Sequence, residues 1–465
     1  MSKYHRVSAE DLAFFERTAP GRVFSGETIS ADYDHDEMTE YGHFMPEAVI
    51  QAQTAQEICE VLAYCNAHAI PVTPRGAGTG LCGGCVTLHG GVVLSTERMK
   101  RVLEVDTQNM TATLEPGVLL MEFPKSLEGT GLFYPPDPGE KTATMGGNAM
   151  TNAGGMRAVR YGVTRDYVLG MEVALADGRL ITLGGKNVKT SSGYSLIDLM
   201  VGSEGTLGVL TKLTVKLIPE PKVNLSVLIP FDDLHSCIEA VPQVLSLGCE
   251  PTAVEFMERE VITCAETYLG KKFPETTADA YLLVRLDGAS RKALEPSMDA
   301  LTELALRLGA RDVLLADTDE RKESIWNARG AFLEAIKGST PTMDECDVVV
   351  PRDHIAAFVR ESVEIGKRAG VRVCSFGHAG DGNLHIYACR DELSEADWKR
   401  GVKQVMDELY AAARRMDGEV SGEHGIGHAK RAFLQESVGE TQVELMRGIK
   451  AAFDPNGILN PGKVV

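Results

Sequence analysis

The sequence predicts an α+β protein of more than one domain, and three observations carry that reading. Short β-branched runs and amphipathic helical stretches both occur along the chain. Glycine numbers 47 in 465 residues, about 10% against a usual ~7%, and it is clustered. The clustering stops at Pro219-Glu-Pro221, beyond which strands alternate with longer amphipathic helices to about residue 370. At roughly 150 residues per domain the length implies about three structural units.

Taken in order, Thr54-Ala-Gln-Glu57 has the form of a capping box and opens a helix whose Ile58, Val61, Leu62 and Cys65 share one face. A short strand, Ile70 to Val72, is expected next, then the glycine loop Arg75-Gly-Ala-Gly-Thr-Gly-Leu-Cys-Gly-Gly84. Strand-like runs follow at Gly91–Leu94, Val102–Val105 and Thr111–Glu115. A second small-residue tract covers residues 135–155 and a third Gly202–Gly208, which leads into the strand-like Thr211–Ile218. Strands are expected at Leu225–Ile229 and Tyr281–Arg285. Glycine returns in Gly377-His-Ala-Gly-Asp-Gly382 and Ser421-Gly-Glu-His-Gly-Ile-Gly427, and the C-terminus, Asp454–Gly462, is turn chemistry.

Composition narrows the function classes. A net charge of −19 opposes nucleic-acid and anionic-membrane roles, which need basic patches. No apolar run reaches the roughly 18 residues that span a bilayer, and no signal-peptide core follows the N-terminus, so a cytoplasmic location is expected. The ten cysteines are scattered and read as reduced thiols; Cys82-Gly-Gly-Cys85 is a lone CxxC with no second pair.

Gly78-x-Gly80-x-x-Gly83, with Glu104 about 20 residues on, satisfies a dinucleotide fingerprint literally. That fingerprint needs a helix to start within it, and the β-branched, glycine-broken residues after Cys85 predict none. Successive small residues can instead aim backbone N–H groups into a concave anion site. Three such tracts, at 75–84, 139–155 and 202–208, offer enough donors for a pyrophosphate and the polar edge of a ring system.

Near the C-terminus His378-Ala-Gly-Asp-Gly-Asn-Leu-His385 separates two imidazoles by a glycine turn, and Glu423-His424 adds a carboxylate and a third imidazole. Two His and one carboxylate form a ligand set for a catalytic divalent metal with a position left open. The remaining His is a candidate general base near neutral pH.

Together Arg75-Gly-Ala-Gly-Thr-Gly, Pro136-Asp-Pro, Gly146-Gly-Asn-x-x-x-Asn-Ala-Gly-Gly155, Gly202-Ser-Glu-Gly-Thr-Leu-Gly208, the two histidine motifs and Leu459-Asn-Pro-Gly-Lys463 resemble the FAD-dependent 2-hydroxyacid dehydrogenases of the vanillyl-alcohol-oxidase-like superfamily. That family includes D-lactate dehydrogenases and the glycolate oxidase catalytic subunit. The resemblance runs from about residue 40 to the end. Phe133–Lys141 and Met343–Pro351 bring the chain nearer to members that work with an electron-transferring flavoprotein.

The resemblance implies an α+β fold: a two-part FAD-binding domain of the vanillyl-alcohol-oxidase/PCMH type, with an α+β cap. The FAD-binding domain would take residues 1–220, the cap 221–415, and a segment 416–465 would return to complete the active site. It further implies that Arg75, Gly76, Ala77, Gly78, Thr79 and Gly80 wrap the pyrophosphate. Pro136, Thr142, Gly146, Gly147, Asn148, Asn152, Gly155, Glu204, Gly205 and Val209 would line the FAD, with Asn460 reaching it from the C-terminus. Covalently flavinylated relatives carry a His where this chain has Thr79, so non-covalent FAD is expected. His378, His385 and Glu423 match the family's metal ligands (Zn, Fe or Mn), His424 its base, and Arg329 the clamp on the substrate carboxylate. By itself Arg329 reads as an exposed helix charge. Hydroxyglutarate-type members place a Lys before the Asp-x-x-x-Pro segment; Glu345-Cys346 stands there before Asp347, which argues for a small monocarboxylate.

The implied reaction takes a small D-2-hydroxy acid, most simply D-lactate, to its 2-keto acid, with hydride passing to FAD. The implied electron partner is an electron-transferring flavoprotein, with bifurcation to NAD and ferredoxin; a glycolate-type dehydrogenase with a quinone or cytochrome acceptor is the alternative. From the residues alone, a metal-dependent hydrolase and an inactive scaffold subunit stay open.

Overall fold

The computed structural model describes residues 3–465, which divide into two compact units. The first comprises the residues to Gly154, Val163–Glu220 and Glu423–Val465; the second comprises Gly155–Gly162 and Pro221–Gly422. The return to the first unit thus falls at 423 and not at the expected 416. The reason lies in residues 419–422: Glu419 bridges Val349, and the Ser421 hydroxyl and Gly422 N–H both donate to Asp347, tying this stretch to the second unit.

Two sheets organise the first unit. One has the order Val23–Ser25, Ala48–Gln51, Val92–Ser95, Val72–Arg75, the last three strands parallel. The other is antiparallel, in the order Val102–Asp106, Thr111–Leu114, Val209–Lys216, Val168–Ala174, Leu180–Gly184. The helix Ala55–His68 buries Ile58, Val61, Leu62 and Cys65 against Ile50, Val72, Leu94 and Leu459. Thr54 caps it by accepting Glu57 N–H. Only half of the expected box forms, because the Glu57 carboxylate takes Gln53 N–H and a forked pair of bonds from Arg22.

The strand expected at Ile70–Val72 runs over Val72–Arg75 instead. Its free edge is completed from the far end of the chain: Val72 N–H donates to Ile458 and Asn460 N–H donates to Val72. No local pattern announces that pairing. Between Arg75 and Val92 no helix forms, as the residue pattern predicts. The second glycine tract departs from expectation. Met145–Thr151 is a helix, capped by the Thr144 hydroxyl accepting Gly147 N–H. Gly146 is required there by close approach, since a Cβ would sit 2.5 Å from the Pro116 Cβ.

The second unit is built on a seven-stranded sheet in the order Leu314–Ala316, Val223–Phe231, Ala280–Gly288, Ala253–Glu258, Arg372–His378, Asn383–Cys389, Met343–Val349. All the pairings are antiparallel. Helices Arg259–Leu269, Asp319–Gly330 and Phe332–Lys337 contribute Val261, Ile325 and Phe332 to a core shared with Met257, Tyr281, Phe376 and Tyr387 of the sheet.

Candidate active site

In the first unit the glycine loop 76–84 is shaped by buried struts. The Arg75 guanidinium, expected at a ligand's phosphates, turns back into its own scaffold and donates to the Asp32 and His35 carbonyls and to Cys85 Sγ. Asp36 accepts Met38 and Gly83 N–H, and burial pushes its carboxyl up to about 6. Cys82 donates to the Gly425 carbonyl. These two cysteines therefore serve the loop individually, and all ten are free thiols.

The third tract is drawn into the same structure. Glu204 sits at φ +52°, and its buried carboxylate accepts Ile426 and Gly427 N–H at 2.7 Å each. Burial raises this carboxyl, against the pull of those two N–H donors. Asn460, 1% exposed, donates from Nδ2 to the Gly84 and Glu204 carbonyls. Lys463, singled out only as part of a motif, is buried and donates to the Val86 carbonyl; burial drives it down to about 8.

Among the buried atoms that have no hydrogen-bond partner in the described residues are Asn148 Nδ2, Ser203 Oγ and Asn460 Oδ1, one from each of the second and third tracts and one from the C-terminus. Buried amides and hydroxyls are nearly always paired, so an orphaned set marks a place for a polar ligand. Of the other positions expected to line the cofactor, Pro136 and Val209 are buried and Thr142 is exposed, bonded to Glu140. Asn152 takes a left-handed φ of +54° and accepts Arg165 N–H. Gly155 belongs to the second unit.

In the second unit the register assembles the site. Phe376 lies opposite His385, His378 opposite Asn383, and Asp347 opposite His385. Phe256 pairs with Gly377, which brings Glu255 beside His378. Paired residues point to one side of a sheet and alternate residues share a face. Glu255, Phe376, His378, Asn383, His385, Tyr387, Glu345 and Asp347 therefore occupy one face of four neighbouring strands. The hairpin turn between the imidazoles needs Gly382, whose φ is +92° and where a Cβ would meet the Val350 carbonyl at 2.2 Å.

Electrostatics on that face are closely matched. Glu255 is fully buried and holds Arg329 through Nε at 2.9 Å and Nη2 at 2.6 Å. The same carboxylate lies 2.8 and 3.0 Å from His378 Nδ1. Burial alone would raise Glu255, but the charges and hydrogen bonds of His378 and Arg329 outweigh it and hold the carboxyl below its ordinary value. His385 Nδ1 lies 3.3 Å from Glu345 Oε1, which also accepts the Tyr387 hydroxyl at 2.8 Å. The two imidazole centroids are 5.3 Å apart.

Arg329, far from being an exposed helix charge, is 5% exposed and lies over the Phe376 ring, 4.5 Å from its centroid. Glu255 is the partner that sequence reasoning missed. A signal was present, since an acid inside the apolar run Ala253-Val-Glu-Phe-Met257 needs either a donor partner or a raised pKa once buried. Glu423 and His424 begin the first unit's return, with His424 Nε2 3.7 Å from Glu423 Oε1. Glu204 anchors the two residues that follow Gly425.

Residues 46–184 match the family model described as an FAD binding domain, and residues 220–464 the one described as FAD linked oxidases, C-terminal domain. A D-lactate dehydrogenase of Anaerostipes hadrus is 49% identical over 99% of this chain and 98% of its own length. The glycolate oxidase subunit GlcD of Bacillus subtilis is 39% identical over 93% and 91%. Among solved structures, substrate-bound p-cresol methylhydroxylase shares the fold at a TM-score of 0.81 and 18% identity, covering 97% of this chain and 96% of its own.

Proposed function

The chain belongs to the family of FAD-linked oxidases, and on that premise we propose that it dehydrogenates a small D-2-hydroxy acid, D-lactate before others, to the 2-keto acid. FAD-dependent oxidation of a 2-hydroxy acid is its chemistry. The observation that carries the finer reading is the buried Arg329–Glu255–His378 chain with His385 beside it on one sheet face.

The residues fit both groups that the chemistry calls for. The orphaned atoms of Asn148, Ser203 and Asn460 suit the polar edge of FAD. His378 turns Nδ1 to the Glu255 carboxylate, the arrangement that leaves Nε2 for a cation, and the His385 ring stands beside it with the centroids 5.3 Å apart. When bound, FAD supplies the hydride acceptor and a divalent metal supplies Lewis-acid activation of the substrate hydroxyl.

The chain's own side chains do the rest. Arg329 binds the substrate carboxylate with its planar fork of donors, pre-oriented by Glu255 and Phe376. His378, His385 and Glu423 would hold the metal, and His424 accepts the hydroxyl proton. Glu345-Cys346 stands before Asp347, where hydroxyglutarate-type members place a Lys, which supports a monocarboxylate. The segments Phe133–Lys141 and Met343–Pro351 support an electron-transferring flavoprotein as acceptor, in the cytoplasm.

Anaerobic mixing of the flavoenzyme with D- and L-2-hydroxy acids tests this reading. D-lactate should bleach the flavin absorbance fastest, and hydroxyglutarate poorly. Bleaching by L-acids alone would overturn the stereochemical assignment.

A further inference from the structure

Glu255 sits in mid-strand between Val254 and Phe256, with a fully buried side chain. An ionised carboxylate in that position is costly unless every lone pair meets a donor. Here it meets three N–H groups from two residues: Nε and Nη2 of Arg329, which lies 74 positions away in sequence, and Nδ1 of His378, 123 positions away. A carboxylate only accepts hydrogen bonds, so the neutral imidazole must carry its proton on Nδ1. Its lone pair is then on Nε2, the opposite edge of the ring.

We infer that Glu255 is a positioning residue that couples the substrate clamp to the metal site. It fixes His378 in the tautomer and orientation that present Nε2 to a divalent cation. Through the same oxygens it sets the plane and position of the Arg329 guanidinium for the substrate carboxylate. The inference rests on the proposed roles of those two residues and adds that they are not independent. Few other side chains can fill the position. Aspartate is one methylene shorter and reaches both donors less well. Glutamine sets an NH2 group against donors and leaves one oxygen to be shared by three N–H groups.

The test uses the intact flavoenzyme stripped of metal, with Mn²⁺ as the probe and calorimetry as the readout. Glu255→Gln should bind Mn²⁺ about 10- to 100-fold more weakly than wild type, with the flavin spectrum and content unchanged. Its KM for the hydroxy acid should rise as well, and Glu255→Asp should recover part of both. Arg329→Lys, which removes no metal ligand, should weaken Mn²⁺ binding when Glu255 is present and have little further effect in the Glu255→Gln background. Wild-type-like Mn²⁺ binding by Glu255→Gln would overturn the inference while leaving the proposed function standing. A wild-type protein that takes up no Mn²⁺ would overturn the metal reading and this inference with it. A measurement free of folding effects is the ¹⁵N spectrum of histidine-labelled, metal-free wild type, with His378 identified by its loss in His378→Asn. The Nδ1–H tautomer is expected; the Nε2–H tautomer would overturn the inference.

Discussion

In the first unit the groups offered to a ligand are backbone N–H donors and a few orphaned amides and hydroxyls, carried on the loop 76–84, on the helix Met145–Thr151 and around 203 and 460. In the second they are polar and charged side chains on four adjacent strands, with Arg329 reaching them from the helix Asp319–Gly330. The first arrangement depends on what is missing, namely side chains that would fill the loops. The second depends on what is present and on how each charge is answered. A cradle of the first kind suits a large ligand that is held and kept. A face of the second kind suits a small one that must be turned over, where single groups carry charge.

The contrast can be broken in both directions. The largest effect is expected from the side chain assigned the proton. His424→Ala should slow flavin reduction by the hydroxy acid about 10²- to 10⁴-fold while keeping full flavin content, as read by stopped-flow absorbance. Unchanged reduction would remove His424 from the mechanism. Next comes Arg329→Met, which strands a buried carboxylate. It should cost about 3–5 kcal/mol in urea unfolding of the second unit, more than the same change at exposed Arg321.

In the cradle the disruptive change is a single added methyl. Gly146→Ala places a Cβ 2.5 Å from the Pro116 Cβ, an overpacking of about 1–3 kcal/mol. Purified protein should carry less flavin, measured as the 450-to-280 nm ratio, and the flavin that remains should be reduced at the normal rate. Gly129→Ala, where nothing lies within 4 Å but φ is +77°, should leave flavin content alone.

The smallest effect sharpens the comparison on stability. Burial pushes the Glu258 carboxyl up to about 7 from an ordinary 4.5, although Ser375 donates to it. Between those pH values the folded chain keeps a proton that the unfolded chain has released, so this group's contribution to stability falls as pH rises. Glu258→Gln should flatten the pH dependence of Tm between pH 5 and 8, an effect on the order of 1 kcal/mol. A slope equal to wild type would refute the assignment.

The two regions also differ in how far the sequence discloses them. Glycine identities report backbone requirements locally, so the three tracts and the boundary at Pro219-Glu-Pro221 could be read directly. The helix Met145–Thr151 could not, because a Gly-Gly pair among small residues leaves no apolar period and Thr144 alone signals its start. The strand Val72–Arg75 shifted because its four residues pair one to one with Val92–Ser95, a register that the residues around Ile70 do not disclose. On the sheet face His378 and His385 stand in one legible motif, whereas Glu255 and Arg329 reach them by pairings across 123 and 74 positions. Arg329 was reachable only through family resemblance, and its burial only through the fold.

The central claim is that a cation held with the help of His378 and His385 activates the hydroxyl of a substrate whose electrons pass to flavin. The most direct measurement is the anaerobic reduction rate of the bound flavin by D-lactate in metal-stripped enzyme, before and after Mn²⁺ or Zn²⁺ is restored. The account predicts slow bleaching that recovers by orders of magnitude on reloading, with the flavin retained throughout. Equal rates in stripped and reloaded enzyme would contradict it.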